Sequence, residues 1–319
     1  MEIPPGVFSV EERVAMATRC RDCDLVPKVI DAGMVFDDEG GARRVQIMHN
    51  GLRVVADGYY GQWMTDLIRL CRGHHESQEE RLFHEVVKRL PSDATMIELG
   101  GFWSYYSLWF LLNQPQRRAV VIEPEPTHLA IGEANAALNN LAPVFKPGFA
   151  GASFVPELAF ETEVSGELSL PRYSVEHLMK EQGWPKLTLL HLDVQGAEVE
   201  VLGSCHKLFK AGLVDWVFVS THAHQITGDP LTHQRCLAAV RESGGIIEAD
   251  HDVHESFSGD GLIVARFCAA PADWVPVTLT SNRASQALFR HLAYDLHEAR
   301  QEIAELRAEV ECARRSTAR

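Results

Sequence analysis

The chain has 319 residues, 46% hydrophobic and 23% charged, which is enough to bury a sizeable core in one catalytic domain with smaller appendages. Its formal charge of −14 disfavours nucleic acid and anionic membrane surfaces as partners, because binding to phosphates needs clustered Lys and Arg. No apolar run reaches the roughly 20 residues that cross a bilayer, and the start lacks a signal-peptide pattern, so we expect a cytoplasmic protein. Its seven cysteines are predicted to be free thiols or metal ligands.

Residues 1–90 are predicted to form an N-terminal cap, because they do not alternate regularly between strands and helices. Ser9, followed three positions later by Glu12, predicts the start of a helix over 9–20. Asn50-Gly51 between two short apolar segments predicts a β-hairpin. Two further helices are expected over 61–72 and 76–89.

From residue 91 to 270 the sequence alternates short apolar runs with helical patterns, which predicts a Rossmann-like α/β domain. Alternation of this kind implies a doubly wound, mostly parallel sheet with right-handed crossovers. The predicted strands contain the segments TMIELG, RAVVIEP, LTLLHLDV, WVFVSTH, GGIIEADHD and GLIVARF.

Residues 282–315 contain no Gly or Pro and carry apolar side chains at spacings of three, four and seven, which predicts a long C-terminal amphipathic helix. Such a stripe packs either on its own domain or on a partner subunit. A homodimer formed through this helix is therefore one of two open interpretations.

Three of the predicted strands end in a carboxylate: Glu98, Glu123 and Asp193. Open α/β sheets bind ligands at the carboxyl ends of their strands, and the acid after the second strand is the position that bonds a ribose diol. The loop after the first strand contains Gly100 and Gly101 before a helix start near Ser104, so a ligand can approach its backbone closely. The dinucleotide pattern G-x-G-x-x-G is absent, which disfavours an NAD-dependent enzyme.

The region from about 76 to 267, or about 60% of the chain, resembles the FkbM-type methyltransferases, a branch of the class I S-adenosylmethionine enzymes. Their first-loop pattern, D-x-G-A-N-x-G-x-Y-S, is similar to E-L-G-G-F-W-S-Y-Y-S at 98–107. Their E-P segment matches 123–124, and their D-V-E-G-A-E segment is similar to D-V-Q-G-A-E at 193–198. Their G-x-x-E-x-x-E segment is similar to G-H-H-E-S-Q-E at 73–79.

This resemblance implies S-adenosylmethionine as the cofactor, with Glu123 on the ribose hydroxyls and the 100–104 loop near the methionine end. It also implies an acceptor that offers a hydroxyl group on a sugar or a secondary metabolite. The cofactor-binding residues expected from it are Glu76, Glu98, Gly100, Gly101, Ser104, Glu123 and Asp193.

Methylating an alcohol requires removal of the hydroxyl proton, either by a base or with the help of a divalent metal ion. Asp193, His222 and His224 are the candidate catalytic residues, and the two histidines would point the same way if the strand stayed extended. Three interpretations stay open. The three residues hold a metal ion, a histidine oriented by Asp193 is a metal-free base, or the histidines are structural or solvated.

Two further segments suggest binding sites. The stretch 251–261 concentrates polar groups between two late strands and predicts a substrate loop with His254 and Glu255, to which Tyr60 of the cap would add; a polar hairpin tip is the alternative. Cys20-x-x-Cys23 has the spacing of half a zinc site. Cys20, Cys23 and His74 are the expected zinc ligands, and an unpaired thiol pair is the alternative.

Two other functions remain open. One is a methyltransferase that acts on a protein or a small amine, which would favour an acceptor pocket of acids and aromatic side chains such as Tyr59, Tyr60, Trp63, Tyr105 and Tyr106. The other is a non-catalytic scaffold of a biosynthetic complex, in which the core only holds a cofactor.

Overall fold

The structure is a computed structural model that describes residues 9–37, 40–41, 43–282, 287, 296, 299–304, 306–307 and 310. Within the helix predicted over 282–315, residues 296, 299–304, 306–307 and 310 are helical, whereas residues 282 and 287 are not in a helix. The other residues of this segment lie outside the described ranges, and the dimer contact assigned to it stays a prediction. None of the helices in the described ranges combines the length and the apolarity that a membrane crossing requires.

The N-terminal segment folds into helices and a small sheet. Ser9 and Glu12 form the predicted capping box, each side chain accepting a hydrogen bond from the other's backbone N–H. The predicted hairpin turns at Gly51 and gains one strand that the sequence patterns missed, so that three antiparallel strands result. The elements are α1 (Val10–Ala17), a 3₁₀ turn (Asp22–Leu25), β1 (Val35–Asp37), β2 (Arg44–Ile47), β3 (Arg53–Val55), α2 (Gln62–Leu70) and α3 (Ser77–Val87).

The rest of the described chain alternates strands and helices, as predicted. Its elements are β4 (Thr95–Leu99), α4 (Tyr105–Leu111), β5 (Arg118–Glu123), α5 (Pro126–Leu138), β6 (Val144–Pro147), β7 (Phe149–Ala150), β8 (Val155–Thr162), β9 (Gly166–Tyr173), α6 (Val175–Glu181), β10 (Leu187–Leu192), α7 (Glu198–Ser204), α8 (His206–Lys210), β11 (Val214–Thr221), α9 (His224–Thr227), α10 (Thr232–Glu242), β12 (Ile246–His251) and β13 (Gly261–Arg266).

The central sheet has seven strands in the order β12-β13-β11-β10-β4-β5-β6, and β13 runs antiparallel to both of its neighbours. The chain winds outward from β4 through β5 to β6 and then returns to the other side of β4 with β10. The strand order therefore reverses between β4 and β10, which is where open α/β sheets bind their ligands. The predicted α/β fold with a mostly parallel sheet is confirmed.

Both faces of this sheet are buried, which explains why its strands are almost continuously apolar. Met96 and Ile97 are neighbours on β4 and enter opposite cores, because side chains alternate between the faces of a strand. One core also contains residues of α2, α3 and α4, whereas the other contains residues of α6, α7 and α10. The helices thus hold β4 and β10 rigidly from both sides.

A second antiparallel hairpin, β8–β9, was not predicted from the sequence. The Glu125 carboxylate, at the N-terminal end of α5, accepts hydrogen bonds from the backbone N–H groups of Val164 and Ser165 and from the Ser165 hydroxyl. These bonds fix the tip of the hairpin beside the carboxyl end of β5.

Candidate functional site

A cavity of about 330 Å³ lies at the carboxyl edge of the central strands, at the point where the strand order reverses. The loops that follow β4, β5 and β10 form its floor. The cap contributes Tyr59, Tyr60, His75 and Glu76 to one wall, and the β8–β9 hairpin contributes residues 160–163 to another. The cavity is therefore enclosed by three separate parts of the fold.

The charge of this cavity is predominantly negative, and two histidines with raised pKa values, His75 and His191, offset it only in part. Among the described residues that line it, none is Lys or Arg, whereas seven carry carboxylates: Glu76, Glu98, Glu123, Glu125, Glu161, Glu163 and Asp193. An enclosed acidic surface attracts cations and repels phosphates. The cavity thus favours a positively charged ligand over a nucleotide with a phosphate chain.

Gly100 brings the first loop against the end of β10. Its φ of +80° is in the left-handed region, and a Cβ at this position would lie 1.7 Å from the carbonyl oxygen of Asp193. A Cβ on Gly101 would lie 2.2 Å from Val121 Cγ1. Only glycines fit this loop, and both line the cavity. Ser104 begins α4 but does not line the cavity; its buried hydroxyl faces Gly132 of α5 instead.

Glu123, at the end of β5, is buried and lines the cavity. Its carboxylate accepts hydrogen bonds from the backbone N–H of Phe102 at 2.8 Å and from that of Glu125 at 2.9 Å. Each carboxylate oxygen has a second lone pair, so the oriented group is still able to accept hydrogen bonds from a ligand.

Glu98, at the end of β4, also lines the cavity but is 2% exposed. Burial raises the pKa of its carboxyl to about 7, and the nearby His191 opposes this effect only in part. The backbone N–H of Ser107 donates to this carboxyl at 3.2 Å. The site therefore contains an acid that titrates near neutral pH.

His222 lies directly after β11 and is held by carboxylates on both nitrogens. Its Nε2 lies 3.0 Å from Asp193 Oδ1, and its Nδ1 lies 2.7 Å from Glu198 Oε1. Burial alone would lower the pKa of His222, but Asp260, Asp193 and Glu198 outweigh it and raise that pKa well above the ordinary value. The ring is an imidazolium, not a free base.

His224 does not join this pair. The prediction that it points the same way as His222 required the strand to stay extended, and this condition is not met, because β11 ends at Thr221 and α9 begins at His224. Within the described ranges, Asp193, His222 and His224 do not form a group of three close metal-ligating atoms.

His191, on β10 two residues before Asp193, lines the cavity as well. Its Nε2 lies 2.7 Å from Glu79 Oε1, while its Nδ1 is buried without a hydrogen-bond partner in the described structure. Burial would lower the pKa of His191, but the hydrogen bond and charge of Glu79 raise it. A single histidine within the apolar segment LTLLHLDV was the signal for this residue.

Aromatic side chains form two walls of the cavity. Tyr59 stacks on Trp103 with ring centroids 4.6 Å apart, and Phe149 stacks on Phe160 at 4.2 Å. Tyr106 donates its hydroxyl to Glu76 at 2.9 Å. Flat apolar surfaces thus lie beside the carboxylates, as a ligand with both an aromatic ring and a positive charge would require.

Most of the predicted substrate loop lies outside the cavity, whereas Asp260, near its end, lies 3.7 Å from His222 Nε2. His254 and Glu255 do not line the cavity, whereas Tyr60 does. Gln78 of α3 donates to the carbonyl oxygen of Glu255, and the Ser281 hydroxyl donates to its carboxylate. The loop packs on the start of α3, which favours the alternative of a structural turn.

The predicted zinc ligands are brought together only in part. In the part of the chain that the structure describes, one group of side chains has three metal-ligating atoms close together, and it consists of Cys23, His74 and Glu80. Cys20 is not in this group. Glu80 takes its place because the first turn of α3 lies directly against Cys23 and His74.

No family model and no curated protein sequence match the chain. Similar solved structures include precorrin-6y C5,15-methyltransferase from Geobacter metallireducens GS-15, with a TM-score of 0.38 and 12% identity over 59% of this chain and 86% of that one. The METTL16 MTase domain has a TM-score of 0.37 and 12% sequence identity, and the match covers 60% of this chain and 69% of that one. TrmK from M. capricolum, in complex with S-adenosyl-homocysteine, has a TM-score of 0.34 and 11% sequence identity, and the match covers 72% of this chain and 86% of that one. Similarity at this level does not indicate an activity, and the cavity itself is the evidence on function.

Proposed function

We propose that the chain is an S-adenosylmethionine-dependent methyltransferase of the FkbM type that methylates a hydroxyl group of a sugar or a secondary metabolite. The observation that carries this proposal is the acid-lined, aromatic cavity at the point where the strand order reverses. Its described lining has seven carboxylates and no Lys or Arg, which suits a cationic cofactor.

The residues present fit S-adenosylmethionine group by group. Glu123 would hold the ribose hydroxyls with its free lone pairs, and the Phe149–Phe160 pair offers a flat surface to the adenine ring. Glu76, Glu98 and Asp193 supply negative charge for the amino group and the sulfonium. Gly100 lets the methionine end approach the backbone. When bound, this cofactor supplies an electrophilic methyl group on a positively charged sulfur.

Asp193 is the residue that we assign to the acceptor hydroxyl. Its carboxylate lines the cavity, its side chain is 32% exposed, and His222 fixes it from one side. Both nitrogens of His222 contact carboxylates, so this histidine acts as a positioning residue, while Asp193 orients the hydroxyl and takes its proton. A divalent metal ion bound here would have to use ligands other than the occupied nitrogens of His222.

The aromatic wall favours one alternative acceptor, a small amine. Tyr59, Tyr60 and Trp103 lie beside Glu76 in the same cavity, and aromatic faces with a nearby carboxylate bind ammonium groups well. Mass spectrometry after incubation with monosaccharides, phenols and primary amines separates the two cases, because the added methyl group is located on oxygen or on nitrogen. A non-catalytic scaffold would bind the cofactor and methylate none of them.

The cofactor assignment is tested by calorimetric titration of the full chain with S-adenosylhomocysteine. We expect binding with roughly one site per chain and a weakening of about tenfold or more in Glu123→Gln, which loses a charge-assisted acceptor. Glu133→Gln is the matched control, because Glu133 lies on the exposed side of α5 and should bind like the wild type. Absence of binding at millimolar ligand, or equal binding by Glu123→Gln, would contradict the proposal.

A further inference from the structure

The described part of the C-terminal segment carries a row of large apolar side chains that are half exposed. Its residues 296, 299–304, 306–307 and 310 are helical. Leu296, Ile303, Leu306 and Val310 are each 49–52% exposed, so they are not packed into either core of the catalytic domain. A contiguous apolar row on an exposed helix marks an interaction surface more often than a solvated one. We call these four residues the C-terminal stripe.

The stripe follows the spacing of a coiled coil. Leu296, Ile303 and Val310 are seven residues apart, and Leu306 lies three residues after Ile303. They therefore occupy a and d positions of a heptad repeat, in which Ala299 is a further d position. The repeat continues in the sequence on both sides, where the next a and d positions are Phe289, Leu292 and Ala313. β-Branched side chains at a with leucine at d favour two strands over three or four.

Charged side chains flank the stripe, with opposite signs on its two sides. Arg300 and Arg307 are exposed on one side, at e positions, and Glu302 is exposed on the other, at a g position. The same signs recur in the sequence at the outer g and e positions, which hold Asp295, Glu309 and Arg314. Each heptad thus places an acid on one flank of the stripe and an arginine on the other.

This charge pattern selects a second copy of the chain in one orientation. In a parallel pair, a g position of one helix lies beside the e position of the following heptad of the other, so Glu302 faces Arg307 of the partner subunit. In an antiparallel pair, g faces g and e faces e, which places like charges together. Within one helix, Glu302 and Arg307 are five residues apart and are not neighbours on its surface. Pairing of these two residues therefore requires two chains.

We propose that the C-terminal stripe joins two copies of this chain in a parallel, two-stranded coiled coil, with Glu302 paired to Arg307 of the partner subunit on both flanks. Burial of the stripe supplies the affinity, and the flanking charges supply the orientation. No residue of the stripe lines the proposed cofactor cavity, so the two surfaces are separate. Dimerisation through the stripe therefore does not depend on the proposed function.

Sedimentation velocity of the full chain, over a range of concentrations, measures the association. We expect the wild type to have the mass of two chains. Ile303→Asp places a charge in the buried interface and should weaken the association by about 100-fold or more. The control Ala304→Asp adds the same charge to the exposed helix outside the stripe and should associate like the wild type. A wild type that stays a monomer, or forms a trimer or tetramer, overturns the proposal, and so does equal association of Ile303→Asp.

Exchange of the flanking charges tests the pairing itself and leaves the apolar stripe intact. Glu302→Arg and Arg307→Glu each place like charges together on both flanks of the dimer, and each should weaken the association by about tenfold. The double variant restores opposite charges and should associate within about threefold of the wild type. Absence of this rescue contradicts the pairing of Glu302 with Arg307 of the partner subunit.

The orientation is read from disulfides formed in two separate variants. Leu296→Cys and Val310→Cys place a thiol at either end of the stripe, and oxidation followed by peptide mass spectrometry locates the bonds. In a parallel pair, the new thiol of each variant joins its own copy in the partner. An antiparallel pair allows this at one level of the helix at most. A symmetric disulfide in only one variant, or in neither, therefore contradicts the parallel arrangement.

Discussion

His222 Nε2 lies 3.0 Å from Asp193 Oδ1, and the opposite nitrogen of the same ring lies 2.7 Å from Glu198. One imidazolium thus links a cavity carboxylate to a fully buried one at the start of α7. The backbone N–H of Gly196 also donates to Glu198, so the loop between β10 and α7 is part of the same network. His222 therefore contributes charge and geometry to the site, and Asp193 presents the reactive oxygen.

Replacing His222 should destabilise the fold far more than replacing His224. Glutamine at position 222 leaves Glu198 and Asp193 without their cationic partner, and removing one member of a buried ion pair costs about 3–5 kcal/mol. His224→Gln changes a side chain outside the network and should alter the free energy of unfolding by less than about 0.5 kcal/mol. Urea unfolding at about pH 7 measures both values.

The pH dependence of this loss has a defined sign. The folded-state pKa of His222 is raised, so its contribution to stability is complete below the unfolded value of about 6.5 and is lost as pH rises through the folded value. The difference between wild type and His222→Gln should therefore be full near pH 6.5 and shrink at alkaline pH. A difference that grows with pH would show that the ring is neutral in the fold.

Gly100→Ala should disrupt the fold at the floor of the cavity. The new Cβ would meet the Asp193 carbonyl oxygen at 1.7 Å with φ at +80°, so the β4 loop or the end of β10 has to move. We expect a loss of about 3 kcal/mol or more in the free energy of unfolding. Gly203→Ala, in α7 with open space around it, is the control and should gain about 0.5–1 kcal/mol.

The stability of Glu98→Gln, relative to that of the wild type, should increase as pH rises. Burial raises the folded-state pKa of Glu98 from 4.5 to about 7, so ionisation of this carboxyl destabilises the wild type increasingly between these two values. Glutamine does not ionise. Relative to wild type, the variant should gain up to about 3 kcal/mol in unfolding free energy between about pH 5 and pH 8. Unfolding curves at several pH values measure this gain.

Glu85→Gln is the control for Glu98→Gln, because the pKa of Glu85 is lowered whereas that of Glu98 is raised. Burial opposes ionisation of Glu85, but hydrogen bonds from Lys88, Arg89 and Arg81 lower its pKa to about 2. Its stabilising contribution is therefore complete above 4.5 and is lost only as pH falls toward the folded value. Between about pH 5 and pH 8 the difference for Glu85→Gln should stay constant. A parallel trend in both variants would mean that Glu98 has an ordinary pKa.

Much of the fold was predictable because both faces of the central sheet are buried. Strands such as β4 and β10 are mostly apolar and buried along nearly their whole length, and the alternation with helices fixes their parallel pairing. The β8–β9 hairpin escaped prediction because most side chains of β8 are exposed, so no apolar alternation marks it. β6 lies at the edge of the sheet with a similarly open pattern.

The site was predictable where it depends on topology and unpredictable where it depends on side-chain packing. Glu98, Glu123 and Asp193 end strands that meet at one edge, so their proximity follows from the fold. The partners Glu79, Glu80 and Glu198 come from the first turns of helices, and their direction is set by how α3 and α7 pack. His224 was misplaced for a local reason, since the strand ends before it and a helix begins.

The most direct test of the central claim compares two cofactors on the wild-type chain. Calorimetric titration with S-adenosylhomocysteine and with NAD⁺, under the same conditions, asks whether the acidic cavity selects against phosphates. The lining of the cavity predicts that S-adenosylhomocysteine binds at about one site per chain and at least roughly 100-fold more tightly than NAD⁺, whose pyrophosphate would face seven carboxylates and no Lys or Arg among the described residues. Equal or tighter binding of NAD⁺, or no binding of S-adenosylhomocysteine, would contradict the assignment as an S-adenosylmethionine-dependent enzyme.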